Sequence, residues 1–408
     1  MRIRAHIALL IGTGSILAAC GGSQSLSTMP PQGTAQQQSR VERPYTILHK
    51  FGVASGDGVQ PAAELINVNG TLYGTTFKGG SYNGGTVFSI TPSGQETVLH
   101  SFGGPNDDGL WPVAALLNVN GTLYGTTEYG GALDSGTVFK ITPSGAETVI
   151  HSFGIDSRYH ISNGSVPLAG LINVNGTLYG TTVNGGRHSC NTGYYSCGTV
   201  FSITTSGKYT LLHSFGSHLR GHLDGALPVA ALLNVDGTLY GTTSQGGDLR
   251  SGTIFSITPA GQYNIVYNFG NGGSNPMSAL IDVNGTLYGT TVSGNNENIS
   301  GTVFGVTTDG TEKLFFGFAG SGSNGSQPVA GLIDVKGVLY GTTTMGGVNN
   351  VGTVFGITTD GTEKVVHSFS NASGKNPVAG LLAVGGMLYG TTYGVEARPH
   401  GNVYSLKP

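Results

Sequence analysis

The phrase Leu-Tyr-Gly-Thr-Thr occurs seven times in this chain, with its tyrosine at positions 73, 124, 179, 240, 288, 340 and 389, so the spacing runs from 48 to 61 residues. Self-similarity at such a period specifies a repeat architecture, in which each unit buries its apolar face only against its neighbours. Every unit carries four segments rich in β-branched and aromatic residues, which in the second unit are 113–119, 122–127, 137–142 and 147–153. Asn120-Gly121 signals a two-residue hairpin between the first two, and Thr-Pro-Ser-Gly at 142–145 a tight turn before the fourth. Composition argues against helix: 71 of 408 residues are Gly, each costing roughly 1 kcal/mol against Ala in a helix interior. The apolar fraction of 38% still suffices for a large core. The ends fix the topology. Residues 45–51 read as a fourth strand with no unit before it, and residues 402–406 as a third strand with no fourth after it. The expected fold is therefore all-β, a seven-bladed β-propeller of four-stranded blades over residues 45–408, with the N-terminal strand completing the last blade. A solenoid would leave sheet edges open and carry atypical capping repeats.

The residues before the first strand read as an address. Arg2 and Arg4, an apolar run from Ile7 to Ala19 and small residues before Cys20 match a secretory signal peptide over 1–19. Such a run is too short to span about 30 Å of hydrocarbon. Leu17-Ala18-Ala19-Cys20 resembles the bacterial lipobox, which implies that Cys20 becomes the lipidated first residue of the mature chain. Residues 20–44, rich in Ser, Gln, Pro and Gly, are expected to be a disordered tether reaching about 27 Å. The expected location is the bacterial outer membrane or cell surface, with the membrane as a partner through the lipid. Cys190 and Cys197 share one Gly/Asn/Tyr-rich loop and, in an oxidising compartment, are expected to form a disulfide. A net charge of -3 excludes a general electrostatic grip on nucleic acid. A monomer is expected, no cofactor is called for, and no metal site is assigned.

The run Leu-His-Ser-Phe-Gly, Asp-Gly-x-x-Pro, Asn-Gly-Thr-Leu-Tyr-Gly-Thr-Thr, Gly-Gly and Gly-Thr-Val-Phe-Ser-Ile-Thr-Pro-Ser-Gly resembles the Gloeo_Verruco, or GloVer, tandem repeat of bacterial extracellular proteins over about residues 45–407. The resemblance implies an extracellular repeat protein and brings no catalytic residue with it. The units have no Trp-Asp pair, unlike WD repeats, and Trp111 is the only Trp, unlike kelch repeats.

What recurs in every unit reads as scaffold. The fourth-strand imidazoles His49, His100, His151, His213 and His367 stand on different blades, too far apart to share one ion, and are expected to be half-buried packing residues. Asp-Gly-x-x-Pro at Asp57 and Asp224 reads as turn chemistry, and calcium there would need six to eight oxygens. Function is expected where units differ, in the loops joining strands two to three and each fourth strand to the next blade. The longest of these, at 154–166, 183–198 and 216–227, carry the candidate ligand-binding residues Arg158, Tyr159, His160, Arg187, His188, Tyr194, Tyr195, His218, Arg220, His222 and Asp224, with Trp111 as a further anchor. Glu64 stands apart: its counterparts in the first strand are Ala115, Gly170, Ala231, Ala279, Gly331 and Gly380, so its carboxylate is a candidate channel residue. The expected function is a non-catalytic binding or interaction protein at the cell envelope, with a carbohydrate, peptide or protein ligand on the variable-loop face. A hydrolase, lyase or lactonase-like enzyme using the central channel is the alternative, and a purely structural envelope protein the second.

Overall fold

Threonine, leucine and tyrosine alternate well on a pleated strand, and each copy of the repeated phrase forms one: in the first two blades Thr71–Thr76 and Thr122–Thr127, in the last Met387–Thr392. The computed structural model describes residues 45–156, 161–188, 197–219, 222–270, 272–294, 298–319, 324–394 and 400–408. In blade 2 the phrase strand lies between Leu117–Val119 and Thr137–Ile141, and Glu147–Ser152 forms the outer edge. Seven such antiparallel sheets result, the fifth extended by Ser274–Pro276. In the last blade the fourth place is taken by Tyr45–Lys50, paired with Asn402–Leu406 so that Tyr45 faces Leu406. The innermost strand of the first blade, Ile66–Val68, touches both Leu117–Val119 and Leu382–Val384, which closes the ring.

The innermost strands are shorter than the sequence suggests. Only Leu117–Val119 of the expected 113–119 pairs within its own sheet, because the preceding residues turn their carbonyls to the neighbouring blade. There the first Thr of each Thr-Thr pair donates across the joint: Thr75 to Ala114, Thr126 to Ala169, Thr181 to Ala230, Thr242 to Ser278, Thr290 to Ala330, Thr342 to Ala379, and across the closure Thr391 to Ala63 at 3.4 Å. The second Thr works inside the blade. Thr127, for example, lies 2.7 Å from the Thr137 hydroxyl of the next strand.

The glycine of the phrase is a close-approach residue. A Cβ on Gly125 would stand 2.5 Å from Cζ of Phe139. That ring is fully buried and meets Phe102 of the preceding blade edge-on, with centroids 5.0 Å apart. The same T-shaped pair spans every joint, from Phe51–Phe88 at the closure to Phe369–Tyr404. The apolar core is accordingly divided into seven clusters, one per joint.

Candidate functional site

Both sets of variable loops lie on one side of the ring, because short antiparallel pairs stitch them together. Gly58–Val59 pairs with Lys78–Gly79, Gly109–Leu110 with Tyr129–Gly130, and Gly325–Ser326 with Met345–Gly346. The residue before each blade's proline completes the stitch. Gln60, Trp111, Val166, Leu227, Asn275, Gln327 and Asn376 all hold a left-handed backbone, with φ between 53° and 61°. Six of their carbonyls accept the N–H that follows a Thr-Thr pair: Phe77, Glu128, Val183, Ser244, Thr344 and Tyr393 donate to Gln60, Trp111, Val166, Leu227, Gln327 and Asn376. A side chain before proline ordinarily avoids this conformation, at a cost of roughly 1–2 kcal/mol. Its presence in every blade makes it a property of the scaffold, which sets each pair of side chains at an equivalent place and leaves their identity free.

One of these seats is aromatic and acidic. Trp111 is half-buried, its ring 5.3 Å from Phe77 and 5.4 Å from Tyr129, and the Lys78 ammonium lies over Phe77 at 5.4 Å. Glu128 beside it is 2% exposed, its Oε2 has no hydrogen-bond partner, and burial pushes its carboxyl up to about 7. Burial thus favours its protonated form. Sequence reasoning singled out Trp111 and missed Glu128. The signal was the column after Thr-Thr, which reads Phe, Glu, Val, Ser, Val, Thr and Tyr.

Glu64 is half-buried on the inner strand path, with its Oε2 2.6 Å from where Gly380 of the last blade would carry a Cβ. Burial raises its carboxyl to about 7, and no charged neighbour contributes to that shift. Arg187 and His188 are exposed. Asp224 is fully buried: it accepts hydrogen bonds from the Gly216 N–H at 2.8 Å and the Ser217 hydroxyl at 2.6 Å, and pairs with His213 Nε2 at 2.9 Å, which spends it on the scaffold. The backbones of His218–Leu219 and His222–Leu223 form a small hairpin. Cys197 is fully buried in the core between blades 3 and 4, with its sulfur against Gly216. Cys20, Arg158, Tyr159, His160, Cys190, Tyr194, Tyr195 and Arg220 lie outside the described residues. A cleft of about 620 Å³ opens where the closing strand leaves the last blade, lined by Lys50, Phe51, Val53, Asn371, Lys375 and His400 among others.

At the rim, each fourth-strand histidine meets the first residue of the next blade's fourth strand. Three joints place a tyrosine there, stacked face to face on the imidazole: Tyr209 on His151 at 4.6 Å, Tyr263 on His213 at 4.0 Å, and Tyr45 on His367 at 4.3 Å. Their hydroxyls donate to the carbonyls of Asn163, Asp224 and Ser373. Desolvation under these stacks lowers His151 and His367 to about 4. Two joints place a glutamate instead, which gives the clusters His49, Asp57, Glu96 and His100, Asp108, Glu147, each with ligand atoms within 4.8 Å of one another. Burial raises the Glu96 and Glu147 carboxyls, and the neighbouring Asp57 and Asp108 add to it. The imidazoles do stand on separate blades, but each of these two finds its carboxylates across its own joint.

A model of the Gloeobacter/Verrucomicrobia repeat matches residues 22–194 and 188–404. No curated protein matches the chain. Among solved structures, a luciferin-regenerating enzyme is similar over 86% of this chain and 92% of its own, at 12% identity and a TM-score of 0.43.

Proposed function

The chain belongs to the Gloeobacter/Verrucomicrobia repeat family, and on that premise we propose that it is a non-catalytic binding protein that offers its variable-loop side to carbohydrate. The observation that carries this reading is the contrast between identical backbone and dissimilar side chains at the pre-proline seats. Selection for packing alone would repeat the side chain, as it does for the threonines and phenylalanines of the joints. At the Trp111 seat, the half-buried rings of Trp111 and Tyr129 are suited to apolar sugar faces. A channel hydrolase, lyase or lactonase would need converging titratable groups, whereas burial alone acts on Glu64. The proposal includes lipid attachment at Cys20, export to the cell envelope and a Cys190–Cys197 disulfide stiffening the neighbouring loop.

Trp111 is the only tryptophan in the sequence, so its fluorescence reports on this seat alone. A glycan that binds the mature chain should shift or quench that emission saturably, and Trp111→Ala should weaken binding roughly tenfold or more. Saturable glycan binding that leaves the emission and the Trp111→Ala affinity unchanged places the site elsewhere. Array binding confined to peptides replaces the ligand class, and silence on both glycan and peptide arrays favours a structural role.

A further inference from the structure

The rim joints are variations on one template, so each serves as a control for the others. Where the acid is fully used by the protein, its geometry is that of a hydrogen bond: Asp224 meets His213 Nε2 at 2.9 Å and takes two further donors. The joint between the closing strand and the first blade differs. His49 Nε2 and Asp57 Oδ2 stand 3.7 Å apart, and the Asp57 side chain is only 4% exposed. His49 Nε2, Asp57 Oδ1 and Glu96 Oε1 are all buried without a hydrogen-bond partner. Among the described residues no lysine or arginine forms an ion pair with either carboxylate. His49, Asp57 and Glu96, on three segments of chain, thus bring one ligand atom each within 4.8 Å of one another, and each of the three residues also has a buried polar atom left without a partner.

We propose that His49, Asp57 and Glu96 bind a divalent transition-metal ion of the zinc class, which clamps the closing strand to the first blade. The donor set is one imidazole nitrogen and two carboxylate oxygens, which suits zinc and its neighbours rather than calcium or magnesium with their all-oxygen shells. Two ligands each about 2.0–2.1 Å from a tetrahedral ion lie roughly 3.4 Å apart. The His49–Asp57 separation of 3.7 Å already approaches that spacing, and Glu96, with a carboxylate oxygen within 4.8 Å of both, supplies the third corner, the fourth going to water. A dication also neutralises both carboxylates, which the imidazole alone does not. Among the described residues, Asp57 accepts a single long hydrogen bond, from the Val53 N–H to Oδ2 at 3.3 Å, whereas at the equivalent joint Asp108 accepts from both the Gly104 and Gly109 N–H groups, at 3.0 and 2.7 Å, so that acid is more fully used by the protein.

The test uses the tag-free mature chain, stripped with a chelator and dialysed against zinc. Elemental analysis after desalting should find at least one retained equivalent, and cobalt(II) in its place should give the visible absorption of a tetrahedral site. Two substitutions borrow residues that the template already carries at other joints. Glu96→Tyr copies Tyr209 and His49→Phe copies Phe316, so both should fold, and each should lose one equivalent of metal. A wild-type chain that retains no zinc overturns the proposal, as does full retention in the two variants. Should either variant fail to fold, the wild-type cobalt spectrum still decides: absence of a tetrahedral signature refutes the site.

Discussion

Replacing Glu128 by Gln isolates the cost of the one acid at the Trp111 seat. Its carboxyl is 2% exposed and rises from 4.5 to about 7 through burial, whereas in the unfolded chain it titrates near the ordinary value. The folded state therefore holds its proton more tightly than the unfolded state does. Stability from this group is complete below about pH 4.5 and is lost as pH rises toward 7, since the unfolded chain gains by ionising first. At 1.36 kcal/mol per pKa unit, the loss is about 3 kcal/mol at most. Gln mimics the neutral acid in shape and cannot ionise. Urea unfolding of Glu128→Gln and wild type should accordingly give matching stabilities at about pH 4, and at pH 8 the variant should be more stable by about 1–3 kcal/mol. A difference that is the same at both pH values would refute the reasoning, because it would show that the side chain acts through packing or hydrogen bonding rather than through its charge.

Gly125→Ala forces a methyl against the buried Phe139 ring, itself pinned by Phe102, and should cost roughly 1–3 kcal/mol in thermal unfolding. Thr391→Val removes the hydroxyl that bridges the last blade to Ala63, and should cost about 1 kcal/mol, comparable with Thr126→Val at an ordinary joint. His151 and His367, lowered to about 4, should appear as imidazoles that stay neutral in proton NMR until well below pH 5. They contribute to acid destabilisation as pH falls from about 6.5 toward 4, and titration near 6.5 would contradict their burial. Changing Cys190 to Ser together with Cys197 to Ala should leave the strand content of the ring intact by circular dichroism while lowering stability by about 2–3 kcal/mol, the loop-closure range for a disulfide; an unfolded variant would show that the buried Cys197 sulfur is indispensable to the core.

The ring and its closure were legible because they follow from periodicity: a residue type needed at every joint appears at every joint. What escaped was combination. His49, Asp57 and Glu96 are unremarkable as single residues, and each column also contains members with another solution, such as His151 with Tyr209. Only pairing the histidine column with the start of the next unit's fourth strand shows that two joints set Glu there and three set Tyr. The short inner strands escaped for a related reason. Their β-branched and small residues look like strand, but the donors of the next blade over, Thr75 and its counterparts, claim their carbonyls. Asp224 counts among the ligand-binding candidates because it stands in one of the longest loops, although its recurrence in Asp-Gly-x-x-Pro already points to the turn role that its bonds to Gly216, Ser217 and His213 fulfil.

The pairing of Tyr45 with Leu406 has a topological corollary. In blade 2 the same rung is Ile141 with Glu147, and a turn formed by residues 142–146 joins them, with the Thr142 N–H bonded to the Ala146 carbonyl. The gap in the ring is thus the size of one short turn, and it falls inside a blade rather than between two. A linker with that turn's sequence placed between Leu406 and Tyr45 would make the polypeptide a continuous loop, which could then be reopened at any other hairpin. The break between Leu406 and Tyr45 thus falls where each of the other six blades has one short turn, closed by the same pair of backbone bonds as at Thr142 and Ala146.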